Sequence, residues 1–120
     1  MAIDTSLDFV SINIAVLTIS DSRTSETDTS GALLKERINS AGHHCIEKHI
    51  IPDDVKLIKE TLLELSKKIE IDCIITTGGT GLTGRDTTPE AVMEIANKNI
   101  EGFGELFRQI SFSKIGTSAI

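Results

Sequence analysis

The chain has 120 residues and a formal net charge of −6, a size for one domain with a modest core. That charge, with four Phe and no Trp or Tyr, excludes a basic nucleic-acid surface and leaves few rings on which single-stranded bases could stack. There is no basic n-region before an apolar run and no run long enough to span a bilayer, so the expectation is a cytoplasmic protein that engages neither nucleic acid nor membrane.

Residues 1–11 read as an N-terminal arm and residues 12–120 as a single domain. The run Ile12 to Ile19 is almost continuously apolar, as a central parallel strand should be. It ends in Ser20-Asp21 and is followed by the polar stretch Ser22 to Thr27. Ligands of open α/β sheets bind outside the carboxyl ends of the strands, which makes Ser20 and Asp21 candidate site residues. The competing reading is a polar turn in which Asp21 bonds its own backbone.

Asp28-Thr29-Ser30 offers N-caps for a helix through Ser40, with Leu34, Ile38 and Ala41 as its core stripe and Gly42 as its stop. Cys45 to Ile51 is a strand with charges inside it, which suits a sheet edge. His43 and His44 point to opposite faces as strand neighbours, so they cannot easily share an ion, and with His49 they read as structural. Cys45 and Cys73 read as buried thiols of a reducing compartment. Pro52-Asp53-Asp54 opens the clearest helix of the chain, marked by Val55, Ile58, Leu62, Leu65 and Ile69. Locally, either aspartate reads as its N-cap.

The stretch Cys73 to Glu90 organises the rest. Ile74 to Thr77 reads as the end of a strand covered on both faces and closed by Gly78-Gly79. Thr87 or Thr88 can cap a following helix with Pro89 in its first turn, and Thr87-x-x-Glu90 has capping-box spacing. Between strand and helix lie Thr80, Gly81, Arg85 and Asp86. Such a glycine loop lets backbone N–H groups approach an anion, with Asp86 as a possible metal ligand at its lip. It equally fits a plain connector. No Gly-Lys-Ser/Thr follows, which rules out a nucleotide P-loop, and the acidic residue of the dinucleotide fingerprint is missing. Further on, Val92, Ile95 and Ala96 mark a short helix, and Phe103, Leu106, Phe107 and Ile110 a last stripe that reads as core.

Taken whole, Thr77 to Ala91 reads Thr-Gly-Gly-Thr-Gly-x-x-x-Arg-Asp-x-Thr-Pro-Glu-Ala and resembles the signature of the molybdopterin-binding family that includes MogA and MoaB. The runs Glu101 to Arg108, Ile115 to Ile120 and Ala41-Gly42-His43-His44 look like the MoaB branch. The resemblance implies an α/β three-layer sandwich with a mostly parallel central sheet. It implies Mg²⁺-ATP-dependent adenylylation of molybdopterin with release of pyrophosphate, or molybdopterin binding without catalysis. By the same resemblance, Asp53 and Asp86 would be catalytic and hold Mg²⁺. Ser20, Asp21, Thr77, Gly78, Gly79, Thr80, Gly81 and Arg85 would bind substrate, and Asp54 would remain the helix cap. Family members form homotrimers or hexamers, to which a helix like that of Phe103 contributes. They also continue with a further core strand, a Pro-Gly-Ser segment near the ligand and a closing helix, so the resemblance implies a chain truncated at its C-terminus.

Overall fold

Three parallel strands lie in the order β2-β1-β3 in the computed structural model, which describes residues 5–79 and 87–119. They are β1 (Asn13–Ile19), β2 (His44–Ile51) and β3 (Cys73–Gly78). Four α-helices accompany them among the described residues, α1 (Thr29–Ser40), α2 (Val55–Ser66), α3 (Thr88–Ile95) and α4 (Glu101–Ile115), the last followed by a short 3-10 helix, Gly116–Ala119.

The alternation of side chains along β1 builds two cores. Leu17 and Ile19 face Ile58 and Leu62 of α2 and Ala91 of α3, whereas Ile14 and Val16 face Ile38 of α1. Helices thus cover both faces of the sheet, and the α/β sandwich expected from the sequence is what forms. β1 is buried almost throughout because it has a neighbour on each side and a helix on each face. Ile58 is fully buried against Leu17. Ile58→Ala is therefore expected to cost about 2–5 kcal/mol, read as a lower urea midpoint with an unchanged slope.

β2 is an edge strand, as its internal charges suggest, and those charges are paired. Glu47 accepts from Lys68 Nζ at 2.9 Å and lies 2.9 Å from His49 Nε2. A bulge between the Ile14 and Ala15 pairings shifts the register, so Ile14 pairs with Cys45 but Val16 with Lys48. Cys45 packs with the core on the α1 side, and Lys48 reaches Asp28 at the start of α1.

Several expectations need correction. β3 is only partly covered on its two faces: it lies at the other edge of the described sheet, and Cys73 to Thr77 are only half-buried, with Ile74 against the α2 core and Cys73 and Ile75 against the α1 core. Cys45 and Cys73 are half-buried rather than buried. Helix α2 stops at Ser66, which leaves Ile69 97% exposed beyond its end. Ala41 and Ala96 are exposed, and α3 packs instead through Thr88 and Ala91, with Val92 and Ile95 at the rim of that core. The stripe on α4 is no core at all. Phe103, Leu106, Phe107 and Ile110 are exposed and the helix buries none of its residues. Periodicity says that a helix has an apolar face; it does not say what covers that face.

The N-terminal stretch is tied to the turn between α1 and β2. Ser11 Oγ donates to the Gly42 carbonyl at 2.7 Å, Ile12 N–H donates to His43 Nδ1 at 3.1 Å, and the Phe9 ring lies 5.0 Å from that of His43. Gly42 sits at φ +90°, the left-handed stop for which the helix end needs a glycine. Among the described residues, no helix is long and apolar enough to cross a membrane.

Candidate functional site

Parallel strands bring their carboxyl ends to one rim. The chain runs from β1 outward to β2 and then crosses to β3 on the other side of β1, so the strand order reverses at β1. A crevice opens where such a reversal occurs, and this is where ligands of open α/β sheets sit. A cavity of about 350 Å³ lies there, with Ser20, Asp21, Arg23, Asp53, Gly78 and Gly79 in its walls and Asp28 and Ser30 at the start of α1.

The structure gathers five of the residues singled out from sequence around this cavity: Ser20, Asp21, Asp53, Gly78 and Gly79. Thr77 does not join them. It lies on the α1 face of β3 and lines a separate apolar cavity of about 770 Å³ with Leu34 and Phe107. Thr80, Gly81, Arg85 and Asp86 lie outside the described residues. Among the described residues, no group of three or more His, Cys, Asp or Glu side chains converges as a ready-made metal site.

Asp53 and Asp54, adjacent and alike in sequence, part company. Asp54 Oδ1 accepts from Leu57 N–H at 3.0 Å and is the N-cap of α2. Asp53 is 7% exposed and turns toward α3. Its Oδ1 accepts from the Thr87 backbone N–H at 3.2 Å and from the Thr87 hydroxyl at 2.8 Å. Oδ2 receives no hydrogen bond from a described residue, and Asp53 is one of the residues that line the cavity. Thr87 holds the N-cap position of α3 without a side-chain capping bond, because its hydroxyl is spent on Asp53. Asp21 buttresses the same turn: its Oδ1 accepts from the Asp53 backbone N–H at 3.0 Å. Ser20 continues the ladder through its N–H to the Ile51 carbonyl at 2.9 Å.

The two described glycines of the loop are demanded by packing. Gly78 has φ +91°, and a Cβ there would collide with the Ile19 carbonyl of β1. Gly79 has φ +65°, and a Cβ would collide with the Thr88 hydroxyl. Thr88 itself closes the turn, with its hydroxyl donating to the Gly78 carbonyl at 3.1 Å and its N–H to the Gly79 carbonyl at 3.0 Å. These glycines let β3 and α3 meet beside the end of β1.

Sequence reasoning missed Arg23, Asp28, Ser30 and Thr87. Asp28 read only as a helix cap, yet it is 3% exposed and bonds three elements. Its Oδ1 accepts from Gly31 N–H at 2.9 Å; its Oδ2 accepts from the Thr18 hydroxyl at 2.8 Å and lies 3.3 Å from Lys48 Nζ. Burial raises the Asp28 pKa, but the hydrogen bonds from Gly31, Thr18 and Lys48, with the Lys48 charge, outweigh it and hold the carboxyl below its ordinary value. A depressed folded-state pKa means stability that is present above the unfolded value, about 3.9, and lost as pH falls through the folded one. Unfolding midpoints measured between pH 5 and pH 2 are therefore expected to drop, and Asp28→Asn is expected to flatten the drop.

Residues 15–120 match the sequence model of a family described as "Probable molybdopterin binding domain". The molybdenum cofactor biosynthesis protein B of Bacillus cereus is 46% identical over 110 residues, covering 91% of this chain and 65% of the relative. That of Escherichia coli is 39% identical over 115 residues, covering 96% and 68%. A crystal structure of molybdenum cofactor biosynthesis protein B superposes with a TM-score of 0.86 at 46% identity, covering 92% of this chain and 69% of that one. The tungsten cofactor synthesizing protein MoaB from Pyrococcus furiosus superposes at 0.75 with 34% identity, covering 91% and 68%. This chain thus spans about two thirds of the length of the curated relatives it matches.

Proposed function

The chain belongs to the molybdopterin-binding domain family, and on that premise we propose that the cavity at the strand ends binds molybdopterin and adenylylates it with ATP, as a step of molybdenum cofactor biosynthesis. A terminal phosphate oxygen of molybdopterin attacks the α-phosphorus of ATP; the new P–O bond forms as the bond to the leaving pyrophosphate breaks.

The observation that carries this reading is the Asp53 carboxylate. It is held at the cavity by Thr87, the residue next in sequence to Asp86, with one oxygen free of hydrogen bonds from described residues. A hard oxygen donor so fixed fits Mg²⁺, which is usually held by one or two carboxylates and completed by substrate phosphates and water. Asp53 and Asp86 would hold the ion, which when bound offsets charge on the reacting phosphates. The protein's own part is positioning. Asp21 fixes the turn that carries Asp53, while the main chain of Gly78 to Gly81, the Thr80 hydroxyl and Arg85 take the phosphate of the pterin, together with Ser20 at the end of β1.

Magnesium-dependent pyrophosphate release from ATP on addition of molybdopterin tests the reaction. Pyrophosphate released in step with adenylylated product is the expected result. Tight molybdopterin binding with no release would leave a binding or assembly protein without catalysis.

A homo-oligomer, trimeric or hexameric, belongs to the same reading, supported by the exposed apolar face of α4. Sedimentation equilibrium is expected to show it, and Phe103→Glu with Phe107→Glu is expected to shift the mass toward monomer.

A further inference from the structure

We infer that Asp28 is a positioning residue of the strand-end cavity, a strut that sets the start of α1 against β1 and β2 and so fixes the cavity wall. The inference rests on the proposed reading of that cavity as the ligand site. Asp28 lines the cavity, yet both of its oxygens are turned to the protein: Gly31 N–H on Oδ1, and the Thr18 hydroxyl and Lys48 on Oδ2. Asp53, by contrast, keeps one oxygen clear of described donors.

A helix cap alone does not need this arrangement, since serine, threonine or asparagine would serve nearly as well. The fold goes further. The β2 bulge turns Lys48 to the α1 face, where plain alternation from Cys45 would point it away. Gly31 leaves no room for a side chain, because a Cβ there would run into the Asp28 carboxylate and the Thr18 hydroxyl. An ion pair with one partner buried and the other half-buried, as here, is a weak source of stability compared with apolar packing of the same volume, and the best-attested use of such pairs is to specify one arrangement.

Here the arrangement specified is the loop over the cavity. Residues Asp21 to Thr27 run between two anchors. At one end Asp21 holds the Asp53 N–H; at the other the Asp28 N–H donates to the Thr24 carbonyl at 2.9 Å. Arg23, in the cavity wall, is carried on that loop with its guanidinium donating to the Thr27 carbonyl at 2.8 Å. The Asp28 side chain ties that second anchor point and the first turn of α1 to β1 and β2, so releasing it loosens the segment to which the loop is anchored.

The test compares Asp28→Asn, Gly31→Ala, Lys48→Met and the Asp28→Asn/Lys48→Met double variant with the parent chain, well below every unfolding midpoint. Amide exchange without ligand is read residue by residue, and molybdopterin affinity is read by titration. Exchange at residues 20–32 is expected to quicken about tenfold or more in each single variant, with α2 and β3 unchanged. Affinity is expected to fall about tenfold in Asp28→Asn and Gly31→Ala, with the double variant no weaker than Asp28→Asn alone. Local quickening in variants of a parent that does not bind molybdopterin would uphold the strut and overturn the proposed ligand. Unchanged local exchange, or quickening spread evenly over the sheet, would overturn the strut, whatever the affinity.

Discussion

Asp53→Asn is expected to lower magnesium-dependent pyrophosphate release by about a hundredfold or more while leaving the fold and molybdopterin binding nearly intact. Asparagine keeps an oxygen able to accept from the Thr87 N–H and hydroxyl, so the turn between β2 and α2 retains its tie to α3. What it loses is the negative charge at the cavity, the property for which a metal-holding carboxylate is needed. Asp86→Asn is expected to behave in the same way. Turnover, affinity and an unfolding curve measured together separate the outcomes. Near-normal turnover in either variant would remove that residue from the metal site, whereas lost cooperativity in unfolding would mark a structural defect.

Gly79→Val is expected to abolish molybdopterin binding and, before that, to destabilise the domain by about 2–6 kcal/mol. As a mere loop glycine, Gly79 would give a pure binding defect: a β-branched side chain blocks close approach of an anion to the backbone. The structure makes it a folding defect as well, because φ is +65° and a side chain would run into the Thr88 hydroxyl and the Ile19 side chain. Thr88 is 3% exposed and bonded to the Gly78 carbonyl, so it has little freedom to move aside. Chemical denaturation gives the stability change. A stability equal to the parent's, together with unchanged affinity, would return the loop to a connector of no special shape.

β1 was legible in the sequence because burial on two faces leaves an unbroken apolar run, as in Ala15 to Leu17. Helix α2 was legible because its stripe and its Asp54 cap agree. What the sequence hides is the company each residue keeps. Asp53 and Asp54 are chemically identical, and only the placement of α3 beside the end of β2 sends one to Thr87 and leaves the other on Leu57 N–H. The bulge in β2 inverts the facing that plain alternation would give Lys48 and so creates a half-buried partner for Asp28 that no spacing rule announces. The apolar face of α4 was visible and its exposure was not, since periodicity measures amphipathicity and not cover. The signature from Thr77 to Ala91 pointed to the family, while the geometry of its first glycines shows that packing alone already requires them.

The most direct measurement is a titration of the isotope-labelled chain with molybdopterin, followed through backbone amide chemical shifts. The account predicts the largest changes at Ser20 to Arg23, Ser30, Gly31, Asp53, Gly78 and Gly79, around the carboxyl ends of β1, β2 and β3. Changes confined to α4 or to the outer edge of β2, or no change at saturating molybdopterin, would contradict it.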